Sequence, residues 1–442
     1  MLVEKNKKEI SLGTSVKEGA GSSLAVGFGD SSITPLTLAL NGTSLHIGII
    51  NALSGLLNPL AQLWGSRQEG KSKKSFVRKF SLLQAIFVLP LIAICLYAFK
   101  YGPSSWLLYS TIITYTILLI LSGALYPAWF SWMGYLVDEK ERGKYFSRRG
   151  ALIGAVGLAA TILGAFILDE FKLAGYLMIG FGVLFVAAEI GRLTSFYFLG
   201  RQYEPKNSKQ IEKRLSFVSF IKQRNNLSKF TLSLTLFNFA LMIASPFFAV
   251  YLLQGLNFSY TTYTLVMMSG TLFYLLFLPI VGKISDRYGS TNLIKIASIL
   301  FALGPILWLP FRNPLALILI PQLVNGLANA TLSVGITSFT YEAIPKEKRG
   351  DSIAYINILS GLGVLVGSLI GGILLIYLPK SINVFFTVFI ISAIARGIVA
   401  LVFVPRIKEE KKVRSLPPVS FNVLHPLRAL HMDIGFFRQI LK

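Results

Sequence analysis

Stretches of about twenty predominantly apolar residues recur along this chain between short polar loops, and no other property narrows its fold so far. A segment crossing a bilayer must satisfy every backbone N–H and C=O internally, which an α-helix of that length does. The sequence places such spans at 19–41, 44–65, 79–99, 105–135, 148–169 and 174–200, then at 230–254, 260–281, 292–311, 314–341, 352–378 and 382–405. The expected fold is therefore all-α and membrane-embedded, with about twelve helices. Composition agrees: 14% of residues are charged, against roughly 25% in a soluble domain.

The formal charge of +23 raises the question of nucleic acid, and the placement of the basic residues answers it. Of 43 Lys and Arg, 37 fall in or beside the amino tail, the 2–3, 4–5, 6–7, 8–9 and 10–11 loops and the carboxyl tail. The other loops hold only Lys100, Lys172, Arg312 and Lys380, while Arg192 and Arg396 lie inside helices. That bias places both termini in the cytoplasm of a multi-pass plasma-membrane protein. The excess positive charge is topogenic and attracts anionic lipid head groups; nucleic acid is not an expected partner. Lys5, Lys7 and Lys8 precede a polar stretch rather than a signal-peptide core, so the first helix is retained. Cys95 is the sole cysteine, which rules out an intramolecular disulfide. The sequons at Asn41 and Asn257 sit too close to helix ends to be read as more than chance.

The chain repeats itself. Gly150, Gly154, Ala160 and Gly164, after Glu141-Arg142-Gly143, correspond at a shift of 207 to Asn357, Gly361, Gly367 and Gly371, after Lys348-Arg349-Gly350. Arg201-Gln202-Tyr203-Glu204 likewise mirrors Arg406-Ile407-Lys408-Glu409, with Arg192 and Arg396 at similar depths. Two six-helix units are expected: 1–200 with a short cytoplasmic amino tail, and 230–405. A basic linker, 201–229, joins them, and an amphipathic cytoplasmic tail, 406–442, follows.

Between two apolar spans lies Gly282-Lys283-Ile284-Ser285-Asp286-Arg287-Tyr288-Gly289. It resembles the signature loop of the major facilitator superfamily, Gly-x-x-x-Asp-Arg-x-Gly, with Gly282, Asp286, Arg287 and Gly289 in the four places. The spacing Glu342-x6-Arg349 resembles a second recurring loop of that superfamily. The resemblance implies a secondary transporter whose halves rock about a central site. It also implies that Asp286 lies against the amino end of the eleventh helix, where free N–H groups favour an anion, and that Arg287 pairs with Glu342. Aligning Pro59 with Pro279 puts Gln62 and Ser66 where the first Gly and the Asp belong and keeps only Arg67, so a symmetric pair of latches is not expected.

Other motifs carry no chemistry. Gly65-Ser-Arg-Gln-Glu-Gly70-Lys71-Ser72 matches a phosphate-loop pattern, but it follows an apolar helix rather than a β-strand, which excludes nucleotide binding. His46, His425 and His431 are scattered, so neither a metal nor a cofactor is expected, and no catalytic set supports an enzyme. Polar residues inside spans are the functional hints, because burying them in lipid is expensive. Asp30, near the middle of the first span, is the proton-coupling candidate. In the superfamily, helices one, four, seven and ten line the cavity. Tyr115, Tyr126, Asn238, Gln322, Asn325 and Asn329 are the substrate-cavity candidates, the last three sharing one helical face. Glu189 and Arg192, one turn apart, read as a structural ion pair, whereas Arg396 has no local partner in the sequence. The expected protein is a monomeric carrier of a small solute, with export of amphiphilic compounds favoured over uptake of a polar solute such as a sugar; a receptor or scaffold on the same fold is the alternative.

Overall fold

The computed structural model describes residues 2–67, 72–137, 142–204, 216–223, 225–345, 349–379 and 383–410; the side chains of residues 2–6, 142–144, 286–288 and 349–350 are not described. Among the described residues every regular element is helical. In chain order these are α1 (Leu2–Phe28), α2 (Ile33–Ala39), α3 (Ser44–Ser66), α4 (Lys73–Tyr101), α5 (Ser105–Leu136), α6 (Arg142–Leu173), α7 (Leu177–Arg201) and the short α8 (Phe217–Lys222). The second set is α9 (Asn226–Met242), α10 (Phe248–Val250), α11 (Tyr260–Tyr288), α12 (Ser290–Leu307), α13 (Pro314–Leu317), α14 (Leu323–Ala343), α15 (Arg349–Tyr377) and α16 (Val384–Ile398).

Among the described residues eleven helices are long and apolar enough to cross a membrane, so this is an all-α, multi-pass membrane protein. The first span falls short of that measure because it is broken and small-residue-rich. Pro35 supplies no N–H and crowds the carbonyl four residues before it, so α1 stops at Phe28 and a 3-10 turn, Asp30–Ser32, leads into α2. Pro246 has the same effect on α9, which stops at Met242 ahead of a second 3-10 turn, Ser245–Phe247. The first helix starts well before residue 19, where the first span is expected, and takes in the amino tail. Helix α1 begins at Leu2, and its early turns dock on α6 and α7, where Tyr145 donates to the Leu12 carbonyl (3.2 Å) and the Tyr203 N–H to Ser11 Oγ (2.5 Å). Hydropathy locates only the lipid-crossing part of a helix, and the polar turns before residue 19 continue it.

Within the first set, α1 packs on α6 and α7, and α4 on α5 and α7; within the second, α15 packs on α9, and α14 on α11 and α12. Lipid tails are as apolar as Leu, so close backbone approach rather than apolar burial drives such packing. At the α1–α7 crossing, a Cβ on Gly21 would lie 2.9 Å from the Gly191 carbonyl. Large apolar side chains such as Leu89, Leu96, Ile113 and Leu401 point outward, as a lipid-facing surface requires. Exposed Tyr101, Trp106, Tyr109 and Tyr176 gather at the end away from the chain termini, in the manner of an interfacial aromatic belt. That end is called the opposite face below, and the end carrying the basic loops the basic face. The two sets touch chiefly where α3 meets α15 and where α6 meets α11. The carboxyl tail beyond residue 410, most of the linker and the phosphate-loop-like residues 68–71 lie outside the described residues.

Candidate functional site

The turn between α1 and α2 presents Asp30, whose side chain is 30% exposed, to Arg192 of α7, which is 6% exposed. Arg192 Nη2 lies 3.4 Å from Asp30 Oδ1, and Nη1 donates to Gln84 Oε1 of α4 at 3.0 Å. Gln84 in turn donates to Ser122 Oγ of α5 at 2.7 Å, and Tyr115 of α5 lies within electrostatic reach of both charges. The guanidinium is thus a buried bracket across three helices, with its carboxylate partner on the more accessible side. This corrects the expected Glu189–Arg192 pair: Arg192 turns away from its own helix, and Glu189 Oε2 is buried with no hydrogen-bond partner. An i, i+3 spacing allows a pair but does not require one when a better-placed carboxylate faces the arginine across the bundle.

Arg396 of α16 occupies the corresponding place in the second set. Its Nη1 donates to the Phe301 carbonyl of α12 at 3.0 Å; Nη2 donates to the Leu241 carbonyl of α9 at 3.0 Å and approaches Ser245 Oγ at 3.4 Å. Those acceptors include the Leu241 carbonyl in the last turn of α9, beside its break.

The amide candidates form a string. Asn329 donates to Asn325 Oδ1 (3.1 Å), Asn325 to Gln322 Oε1 (3.1 Å), and Gln322 Nε2 points to Met267 Sδ of α11 (3.8 Å). Gln322 is 2% exposed and fills the space over Gly270, so it joins α14 to α11, while Asn329 at the other end is exposed. Asn238 donates back to the Leu234 carbonyl (2.9 Å), and exposed Tyr126 stacks near Trp129 and Phe130. Tyr115 alone of the aromatic candidates adjoins Asp30.

A second buried pair has no counterpart among the sequence expectations. Arg149 of α6 contacts Glu18 of α1 at 3.0 Å, both side chains 8% exposed. Ser195 donates to Glu18 Oε1 (3.1 Å), Arg149 Nε reaches Ser15 Oγ (3.2 Å), and the guanidinium stacks 4.4 Å over Trp129. A Cβ at Gly19 would sit 2.5 Å from Arg149 Nη2, so the glycine makes room for the arginine. The recurrence of Ser11, Ser15, Gly19 and Ser22 along one face is the available signal that this stretch is buried.

At the basic face two glutamates cap helices. Glu204 accepts from the Lys73 and Lys74 N–H groups (2.6 and 3.2 Å) at the start of α4, and Glu409 accepts from Thr291 N–H (3.0 Å) at the start of α12. The free N–H groups and positive dipole end of a helix suit an anion there. The repeated Arg-x-x-Glu therefore ties the last helix of each set to its third. Gly289 ends α11 at φ +87°, a backbone conformation that calls for glycine, and a Cβ there would also push on the Glu409 carboxylate at 2.5 Å. The Ser290 hydroxyl lies between Glu342 (2.8 Å) and Glu409 (3.1 Å). Gly282 sits on α11 with open space beside it. The side chains of Asp286, Arg287 and Arg349 lie outside those described.

The family model described as Major Facilitator Superfamily matches residues 230–437, which include this loop. The second half of the chain thus matches the major facilitator superfamily. A curated relative, the uncharacterized MFS-type transporter YfiU of Bacillus subtilis (strain 168), is 35% identical over 97 residues, 22% of this chain and 18% of that protein. The matched stretches span about a fifth of the length of the curated relatives. Among solved structures, a mutant form of the nucleoside transporter NupG has a TM-score of 0.68 at 16% identity, covering 89% of this chain and 100% of that one. A bacterial homologue of the iron transporter ferroportin gives 0.67 at 14% identity in its inward-facing state, over 92% and 100% of the two chains. A bacterial ferroportin homologue in the outward-facing state gives 0.56 at 18% identity, over 90% and 99%. These likenesses show that nearly the whole chain shares the fold of those transporters.

Proposed function

We propose that this protein is a secondary transporter that moves a small solute across the plasma membrane by alternating access, with Asp30 carrying the proton that couples transport to a pH difference. The observation that carries the reading is the Asp30–Arg192 pair: an accessible carboxylate at a helix break, bracketed by a buried guanidinium whose Nε has no partner. Protonation of Asp30 removes its attraction for Arg192 and loosens the turn between α1 and α2, so occupancy of one site and the posture of the first helix become linked. Units 1–200 and 230–405 are the rocking bodies, with the basic face cytoplasmic. At the opposite face α3–α15 and α6–α11 are in contact, whereas Tyr126, Phe130 and Tyr341 toward the basic face are exposed. That pattern, and the better superposition on an inward-facing ferroportin homologue than on an outward-facing one, support an inward-facing posture.

The preferred cargo is an amphiphilic compound carried outward, because Asp30 is an accessible charge adjoined by aromatic Tyr115, with Tyr126 exposed further along α5. The string Gln322–Asn325–Asn329 favours a second reading, uptake of a polar solute able to exchange hydrogen bonds with amides. Reconstituted in proteoliposomes, the full chain should move a solute found by thermal-shift screening, saturably and faster under a pH difference. Saturable binding without flux would instead identify a receptor on the same fold.

A further inference from the structure

Helices α6 and α11, one from each unit, are fastened at the opposite face and separate toward the basic face. Both Asp169 carboxylate oxygens accept from the first turn of α11, from Tyr260 N–H (2.7 Å) and Thr261 N–H (2.8 Å). Lys172 lies 5.5 Å over the Tyr260 ring, and Phe181 meets that ring edge-on. Further along, the facing surfaces are bare: a Cβ added at Gly150, Gly154 or Gly282 would meet nothing within 4 Å, and Leu272, Leu275 and Leu276 are 51%, 56% and 58% exposed.

The internal repeat contains the same crossing in its closed form. Helices α3 and α15 correspond to α11 and α6, and they stay in contact toward the basic face. There a Cβ on Gly361 would run into the Gly55 carbonyl, and one on Gly55 would run into Val364. The shift of 207 carries Gly361 to Gly154 and Val364 to Gly157; the alignment of Pro59 with Pro279 carries Gly55 to Leu275. A second route needs no repeat. Gly154 lies fifteen residues from Asp169, and Leu275 fifteen from Tyr260. The two antiparallel helices thus run about 22 Å each from the fastening to these residues, at 1.5 Å per residue. Both routes select the same pair.

We infer that closing the basic face pivots α11 about the Asp169 fastening and seats Leu275 against Gly154 of α6. Unit rocking is taken from the transporter reading above, but the contact itself can be detected without measuring flux. The occupant of the bare glycine surface is this chain's own α11, not lipid or a second copy.

The test uses full-length protein carrying Cys95→Ser, Gly154→Cys and Leu275→Cys, with a protease site inserted between residues 201 and 229. A cross-link keeps the two fragments together on a denaturing gel after cleavage. Two Cα atoms within about 7 Å can form a disulfide, so oxidation during cycling in membranes should join this pair, while Gly154→Cys with Leu265→Cys stays unjoined. Gly154→Trp should fold with unchanged thermal stability, since its side chain enters open space, yet hold the protein open. Its flux should fall roughly tenfold or more, the shift that about 1.4 kcal/mol of clash produces. The inference is overturned if Gly154→Cys joins Leu265→Cys instead, if the link forms between copies, if no link forms under any condition, or if Gly154→Trp transports as the parent does. A wild-type protein that moves no solute while the 154–275 link still forms would sink the transporter reading and leave this contact standing.

Discussion

Arg192 and Arg396 pose one problem to two halves of the molecule, and the halves solve it differently. Each arginine sits on the last helix of its set, is buried, and reaches the break in the first helix and a group on the third. At the break the first half has Asp30 and the second has Ser245. Arg396 spreads its charge over two carbonyls and a hydroxyl, whereas Arg192 faces a carboxylate and an amide oxygen. Holding a broken helix to its neighbours therefore needs an arginine but no counter-charge. The carboxylate is an addition, and an ionisable addition inside the bundle is what the proposed proton coupling requires.

Five substitutions, two of them also combined with Asp30→Asn, sharpen that contrast, beginning with the largest effect. Arg192→Met leaves the Asp30 carboxylate without its partner; removing one member of a buried pair costs about 3–5 kcal/mol, and adding Asp30→Asn should restore much of it. Unfolding in detergent would register this, and a double variant no more stable than Arg192→Met would break the claim that the pair is coupled. Arg396→Lys should lose about 1–3 kcal/mol, because one ammonium cannot serve acceptors on α9 and α12 together. Asp30→Asn should change that loss little, since the sites are separate; strong coupling between the two would contradict the separation. Glu18→Gln should destabilise by a similar amount but leave pH-driven accumulation intact, as its pair fastens α1 to α6 rather than serving the solute path. Abolished coupling in Glu18→Gln would move the proton site to the basic end of α1. Smallest are Glu204→Gln and Glu409→Gln, each removing a charge from a helix start at a cost of about 0.3–1 kcal/mol, reduced by salt. Nearly equal losses are expected from these repeat-related caps, and a large inequality would show that the caps do more than hold helix ends.

Much of this architecture is legible in the sequence. Apolar runs locate the spans to within a few residues because lipid imposes one length on every crossing helix, and Arg201–Glu204 with Arg406–Glu409 mark the repeat whose glutamates prove to be caps. The tail before residue 19 escapes hydropathy because that measure registers lipid contact, and Ser11, Ser15 and Glu18 are buried against protein. The partner of Arg192 is hidden because one-dimensional spacing favours the neighbour on the same helix, while Gln84 lies on α4 and Asp30 just beyond α1, where packing brings them to the arginine. Asp30 stands out as a carboxylate in an apolar span, but the arginine that brackets it belongs to tertiary structure alone.

The most direct test of the central claim is the Asp30→Asn protein in proteoliposomes, assayed in two ways with one solute. Asparagine keeps the shape of the protonated carboxyl and cannot release the proton. Solute exchange across the membrane at equal pH should persist, because the alternation of the two units does not require the charge, while accumulation driven by a pH difference should vanish. Unimpaired pH-driven accumulation by Asp30→Asn would contradict the account, whatever the substitution does to stability.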